Sequence, residues 1–176
     1  MKWLKALFKR SSPEIIFLVG LPGSGKSTFT KEKVNSGQWS DYSILSTDAF
    51  IESQAKIEMK TYDEVFHSTY PKAEEQFLEA LELAVAKKKN IIIDRTNMSK
   101  KDRDLVMNKL TNDYKRKAIV FHVPLDVLKK RVNNRWTQTG KKITDEVMER
   151  IASTYTHPTK EEFNTITLST HENSSN

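Results

Sequence analysis

Cysteine is absent from the 176-residue chain. That excludes disulfides and cysteine-based zinc sites, and makes an intracellular, cytoplasmic setting the expectation. No apolar run approaches the ~20 residues that cross a bilayer, so no integral membrane association is expected. Glycine and proline are scarce, five of each. No repeat or linker divides the chain, and one domain with a sizeable core is expected. The 37% hydrophobic and 30% charged residues, with a mean hydropathy of −0.62, fit a globular composition. Acidic residues are outnumbered, 23 against 29 Lys and Arg, giving a net charge of +6 and a pI near 9.4. The excess sits in clusters: Lys87-Lys88-Lys89, Lys100-Lys101, Lys115-Arg116-Lys117, Lys129-Lys130-Arg131 and Lys141-Lys142. Such clusters read either as solvated helix faces or as attraction to a polyanion, a nucleic acid or a phosphorylated substrate. Charge alone does not choose between these.

What is present is organised around Gly20-Leu21-Pro22-Gly23-Ser24-Gly25-Lys26-Ser27, followed by Thr28. Glycine, any four residues, then glycine-lysine-serine is the phosphate-binding loop spacing. The apolar run Ile15 to Val19 leads into it, and a helix-compatible stretch holding Phe29 and Val34 follows. In that strand–loop–helix context the glycines let backbone N–H groups turn inward as an anion cradle at a helix start. Lys26 is expected to reach the β- and γ-phosphates and the Ser27 hydroxyl to take a Mg²⁺ coordination position. The loop by itself implies a bound nucleoside triphosphate and no particular reaction.

The rest of the chain alternates strands and helices. Residues 1–12 are expected to form an appended basic amphipathic helix, with Trp3, Leu4, Leu7 and Phe8 on one face and Lys2, Lys5, Lys9 and Arg10 largely opposite. It suits packing on the domain or a partner better than a membrane surface, and it lacks the apolar core of an export signal. Residues 13–170 make the main domain and 171–176 a frayed tail. A second strand spans Tyr42–Ser46, the pattern from Ala49 to Pro71 is unclear, and Lys72 to Lys89 is a strong amphipathic helix. Asn90 to Asp94 reads as a buried parallel strand. Ser99 caps a helix that turns Leu105, Val106 and Leu110 inward, Lys117–Val123 is a strand, and Pro124 opens a helix to about Arg135. Trp136 to Lys142 reads as a mobile loop, Thr144 opens a last helix, and Phe163–Leu168 closes the sheet. The fold class is α/β, a mostly parallel doubly wound sheet with helices on both faces in three layers.

In such a sheet ligands gather at the carboxyl ends of strands. Ser27, Asp48 and Asp94 fall there, after the first, second and third strands. Asp94 has the form of a Walker B aspartate, which holds Mg²⁺ directly or through water, against the reading of a plain turn residue. Asp48, on a different strand, could face an acceptor and take its hydroxyl proton, which a kinase needs; it reads equally as a helix N-cap. Arg131 and Arg135, one helical turn apart, could form a lid over triphosphate or stand as two exposed arginines. No Asn/Thr-Lys-x-Asp motif for guanine is present, which disfavours a GTPase.

Taken together these stretches resemble the 5′-hydroxyl polynucleotide kinase domain of bacteriophage and mammalian enzymes. The resemblance runs from about Ile15 to Leu168 through the phosphate loop, Thr47-Asp48, Ile93-Asp94-Arg95-Thr96-Asn97, Phe121-His122-Val123-Pro124, Asn133-Asn134-Arg135 and Pro158-Thr159. It implies a P-loop kinase fold with a helical lid, ATP as phosphate donor, Mg²⁺ as cofactor and nucleic acid as acceptor partner. It implies ATP binding by Gly20, Pro22, Gly23, Ser24, Gly25, Lys26, Ser27 and Thr28 with Arg131 and Arg135. Catalytic roles fall on Lys26, Asp48 as general base and Arg135 on the donor, metal binding on Ser27 and Asp94, and acceptor binding on Asp48, Thr96 and Asn97. The chain departs from the family where Thr47 and Ile51 replace arginines, and Ala49 to Tyr70 finds no match. No Asp-x-Asp-x-Thr phosphatase motif is present. The leading expectation is an ATP-dependent kinase of a polynucleotide 5′-OH. A second acceptor is the hydroxymethyl group of 5-hydroxymethyluracil in phage DNA, a third a small metabolite; a reading of another class is a nucleotide-binding regulatory or adaptor module.

Overall fold

The structure, a computed structural model, describes residues 12–169. The expected amphipathic helix at 1–12 and the tail at 171–176 therefore fall outside or at the very edge of the described residues. Five strands, β1 (Glu14–Val19), β2 (Ser43–Leu45), β3 (Ile91–Ile93), β4 (Lys115–Val120) and β5 (Thr165–Leu168), form one sheet in the order β2-β3-β1-β4-β5. Every pairing is parallel; β1 runs against β3 with Ile15 beside Ile91 and against β4 with Glu14 beside Lys115. Six helices connect and cover them: α1 (Lys26–Asn35), α2 (Thr47–Ile57), α3 (Tyr62–Ala86), α4 (Lys100–Met107), α5 (Leu125–Thr139) and α6 (Asp145–Ser153).

Two cores explain why β1 from Ile15 onward and all of β3 are apolar. Ile15, Phe17, Val19, Ile91 and Ile93 pack with Phe77, Leu81 and Val85 of α3, Val106 of α4 and Phe163. Ile16, Leu18 and Ile92 face the other way, onto Phe29 and Val34 of α1, Trp39 and Phe121. A strand covered on both faces has no polar side to show, and each such side chain contributes roughly 1.5–3 kcal/mol by leaving water. The three-layer expectation holds.

Strands β2, β4 and β5 differ from the sequence reading by one to three residues at their ends, and three helical boundaries differ by more. The segment with no clear period is two helices: Ser46 accepts from the Ala49 N–H to cap α2, and a Thr61/Glu64 capping box starts α3. Lys60 and Thr61, which interrupt the apolar spacing, are the turn between them. Helix α3 then runs through Pro71. Pro71 and His67, whose carbonyl the proline leaves unpaired, are both exposed, and Val65, Ala73 and Phe77 bury the opposite face. Helix α5 continues to Thr139, shortening the expected mobile loop to Gly140–Thr144. Ser99 and Thr144 cap α4 and α6 as expected, whereas Leu105 is exposed rather than inward.

Candidate active site

The carboxyl ends of β1, β2 and β3 open onto a cavity of about 930 Å³. Its floor is the turn after β1. Gly23 and Gly25 have φ of +80° and +95°, the left-handed region that glycine enters without cost. Gly20 is closed in: a β-carbon there would lie 2.8 Å from Ser24 Oγ and 3.0 Å from Phe121 Cβ, and its N–H donates to the Thr96 carbonyl at 3.0 Å. Pro22, Gly23, Gly25, Ser27 and Thr28 line the cavity, while Gly20 and Ser24 lie beneath them.

Lys26 folds back on this loop, donating to the carbonyls of Gly20 (2.7 Å) and Leu21 (2.8 Å) and to Ser24 Oγ (3.3 Å). Burial lowers its pKa to about 8, against the attraction of Asp94 and Asp48. Beside it the Ser27 hydroxyl bonds to the Asp94 carboxylate, whose pKa is raised by burial despite Lys26 and that bond. One hydroxyl and one carboxylate are hard oxygen donors suited to Mg²⁺, which keeps several waters and relies on phosphate oxygens for the rest. Among the described residues no cluster of three or more His, Cys, Asp or Glu could hold a metal unaided. The pair therefore fits a metal that arrives with a phosphate.

Asp48 faces the loop from the second residue of α2, and Ser46, not Asp48, is the N-cap. Tyr62 donates to its Oδ1 at 2.6 Å, and Lys141 pairs with its Oδ2 at 2.5 Å. Partial desolvation would raise the Asp48 pKa, but Lys141, Tyr62 and Arg135 outweigh it and hold the carboxyl below its usual value. The side chain is 57% exposed, and that exposure is toward the cavity it lines. At neutral pH Asp48 is a carboxylate, the form a general base requires.

Helix α5 lies directly on the phosphate loop. A β-carbon on Gly23 would approach Val132 Cγ2 to 3.1 Å, and Leu128, Val132 and Met148 form the small core that seats the helix. This brings Arg131 and Arg135 to the cavity wall. Arg135 Nε is buried without a hydrogen-bond partner among the described residues. A buried guanidinium nitrogen at the wall of a phosphate cradle is a donor placed for an anion.

Not every expected site residue reaches the cavity. Thr96 lines it. Asn97, expected on the acceptor, does not: it is 1% exposed, with φ of 49°, and its Nδ2 donates to the carbonyls of Leu18, Ile93 and Arg95. Asparagine tolerates the left-handed region, and here its amide ties the Asp94–Thr96 turn to β1. Asn97 thus shapes the turn rather than touching a ligand. Ile51 is fully buried against α3, so its position could not present a cation to the cavity.

Sequence reasoning also missed three ionic groups. Arg95 lines the cavity, makes two bonds to Glu74 (3.2 and 2.7 Å) and stacks over Phe77, while Thr47 Oγ1 donates to the same carboxylate. Lys141, read from sequence only as one of a basic pair in a loop, is paired with Asp48. Arg103, 0% exposed, donates to both Glu162 oxygens (2.8 and 3.0 Å) and to the carbonyls of Asn97, Met98 and Thr156. Nothing local in Lys100–Asp104 distinguishes Arg103 from its charged neighbours except its place three residues before buried Val106, on the inner face of α4.

Compared with known proteins, residues 15–158 match the model of a family described as AAA domain, AAA_33. A chain in the structure of the Pnkp1/Rnl/Hen1 RNA repair complex is 26% identical, with a TM-score of 0.62 over 85% of this chain and 46% of that one. This chain thus spans under half the length of that relative. A putative kinase from Chloroflexus aurantiacus (18% identity, TM-score 0.69, 91% and 86% covered) and a gluconokinase from Sinorhizobium meliloti (19%, 0.53, 90% and 83%) share the fold.

Proposed function

Because the chain belongs to this AAA domain family and has a P-loop kinase-like fold, we propose that it is an ATP-dependent kinase transferring the γ-phosphate to a hydroxyl on nucleic acid, most simply a polynucleotide 5′-OH. The observation that carries this reading is the convergence, in one cavity, of an ionised Asp48 with Lys26, Asp94 and Arg135 from separate elements. A protein that only binds nucleotide has no use for a carboxylate aimed across the cavity from the phosphate cradle. The likeness to a chain of an RNA repair complex, the resemblance of Asp94-Arg95-Thr96 and Asn133-Asn134-Arg135 to polynucleotide kinases, and the exposed Lys56 and Lys60 on the cavity rim support a polyanionic acceptor.

In this scheme Lys26 leaves the loop carbonyls for the β- and γ-phosphates. Ser27 and Asp94 would hold Mg²⁺, which would supply positive charge to the phosphate oxygens. Asp48 accepts the proton of the acceptor hydroxyl as its oxygen attacks the γ-phosphorus in line and the bond to the β-phosphate oxygen breaks. Arg135 stabilises the charge spread over the transferring group. Thr96 lies where it can help place the acceptor.

The acceptor is tested with γ-labelled ATP and three parallel reactions: a 5′-OH oligonucleotide, a 5′-phosphorylated duplex containing 5-hydroxymethyluracil, and no acceptor. Label in the first is expected. Label only in the second would move the acceptor to the modified base, and tight ATP binding with label in neither would favour a regulatory module. Arg135→Ala is expected to lower turnover on the order of a hundredfold; an effect confined to nucleic-acid affinity would remove Arg135 from the donor. The depressed Lys26 pKa predicts a pH dependence of ATP binding. Phosphate favours the charged amine, so the complex binds a proton more tightly than the free protein, and affinity weakens by about tenfold per unit as pH rises above 8. Titration calorimetry across that range should show this slope in the native chain and lose it in Lys26→Ala.

A further inference from the structure

Residues Gly140–Lys142 follow the lid helix and clasp the start of α3. The Lys142 N–H donates to both Asp63 oxygens (3.1 and 2.9 Å), and the Lys142 ammonium lies 4.9 Å from the Trp136 ring centroid. Gly140 has φ of +66° and sits against Thr61, where a β-carbon would meet Thr61 Cβ at 2.8 Å and Cγ2 at 2.9 Å. Thr61 is the capping residue of α3 and cannot turn aside without losing that cap. Between these two contacts Lys141 is driven inward, its ammonium 4.2 Å from the Tyr62 ring centroid and paired with Asp48.

Lys141 differs from the other paired lysines. Their side chains are 23% to 60% exposed, whereas that of Lys141 is 9% exposed. An ammonium leaves water at a large cost and is found buried where a partner requires it. Its partner is Asp48, the cavity carboxylate that also accepts from Tyr62. With Tyr62 on Oδ1 and Lys141 on Oδ2, the carboxylate is fixed in plane, ionised, and left with lone pairs directed to the cavity.

We propose that Lys141 is the positioning residue that holds Asp48 for the acceptor hydroxyl, and that seating of the Gly140–Lys142 loop on α3 puts it there. The inference rests on the reading of Asp48 as the base. It couples the two halves of the site, since the helix carrying Arg131 and Arg135 to the donor ends in the loop that readies the acceptor side. The charged groups acting on Asp48 are Lys141 and Arg135 from the lid region and Lys26 and Asp94 from the donor side; Tyr62 of α3 acts as a neutral hydrogen-bond donor, with Glu52 and Asp63 nearby through it. Without Lys141 the partly desolvated carboxyl protonates more readily, so the acid side of the rate profile moves to higher pH.

The test is the pH profile of kcat/KM for phosphate transfer by the full chain, with ATP affinity and thermal melting measured on each variant. Lys141→Met is expected to lower the ratio of acid to neutral activity by about tenfold relative to the native chain, with ATP affinity unchanged. Lys141→Arg should restore the native profile. Gly140→Ala, which leaves Lys141 in the chain but crowds Thr61, should shift the profile the same way. A native acid limb in Lys141→Met, or loss of its ATP binding, would overturn the inference; a native limb in Gly140→Ala would overturn the loop's part in it. Full transfer by Asp48→Asn would instead bring down the base assignment beneath it, so the two failures are distinct.

Discussion

Asp48→Asn is expected to leave ATP affinity nearly unchanged and to lower turnover by roughly a hundredfold or more, the usual size of a lost general base. Asparagine keeps the shape of the side chain and can still accept from Tyr62, so α2 and the cavity wall should persist. It cannot take the acceptor proton. The charge removed stands opposite the phosphate loop, so Lys26 loses one of the two carboxylates that favour its cationic form. A small rise in ATP affinity through reduced repulsion is compatible with this account, whereas unaltered turnover would remove Asp48 from the chemistry.

The second large effect concerns stability. Glu162→Ala leaves the Arg103 guanidinium at 0% exposure without its carboxylate. Breaking a buried pair from one side costs about 3–5 kcal/mol, which for a chain of this size lowers Tm by roughly 6–20 °C. A loss below about 1 kcal/mol would mean that the pair is solvated in solution. Replacing both partners, Arg103→Met with Glu162→Leu, removes the stranded charge and should recover much of the Tm. It should not recover full turnover. Arg103 also donates to the carbonyls of Asn97 and Met98, the backbone that follows Asp94, and to Thr156. A double variant with native Tm and native turnover would show that the bonds from Arg103 to this turn are dispensable.

The donor half was legible in the sequence because it is written in local spacing. Gly20 to Thr28 and Ile91 to Asp94 are continuous segments whose chemistry depends on a strand ending where a helix or turn begins. The sheet followed from the same runs. On the opposite side Asp48 and Thr96 were named from sequence and reach the cavity, but what surrounds them was not legible, for physical reasons visible in particular residues. Tyr62, Asp48 and Lys141 meet across 93 positions of sequence, and no period in any one segment announces their contact. Asn97 belongs to a turn that looks like ligand chemistry, yet its amide is consumed by three backbone carbonyls. Ile51 looked like a lost functional position and is a core residue of the α2–α3 pair. The unclear stretch from Ala49 to Pro71 was unclear because two helices with different faces meet at Lys60-Thr61, so one period could not describe it.

Among the described residues no helix is long and apolar enough to cross a bilayer. The lysines divide once placed. Lys88, Lys100, Lys109 and Lys129 spend their charge on neighbouring surface carboxylates. Such pairs contribute at most about 1 kcal/mol each. Lys56, Lys60 and Lys141 border the cavity beside Asp48. Lys60 shares its charge with Glu58 and stays exposed.

The central claim is that the phosphate loop and Asp48 belong to one transfer site for a nucleic-acid hydroxyl. The most direct measurement is a single-turnover reaction of preformed protein–Mg·ATP complex with a 5′-OH oligonucleotide, run side by side for the native chain and Asp48→Asn. The account predicts one labelled phosphate at the oligonucleotide 5′ end with the native chain, and ATP that stays bound but untransferred with the variant. Equal transfer by both, or bound ATP with no transfer by the native chain, would contradict it.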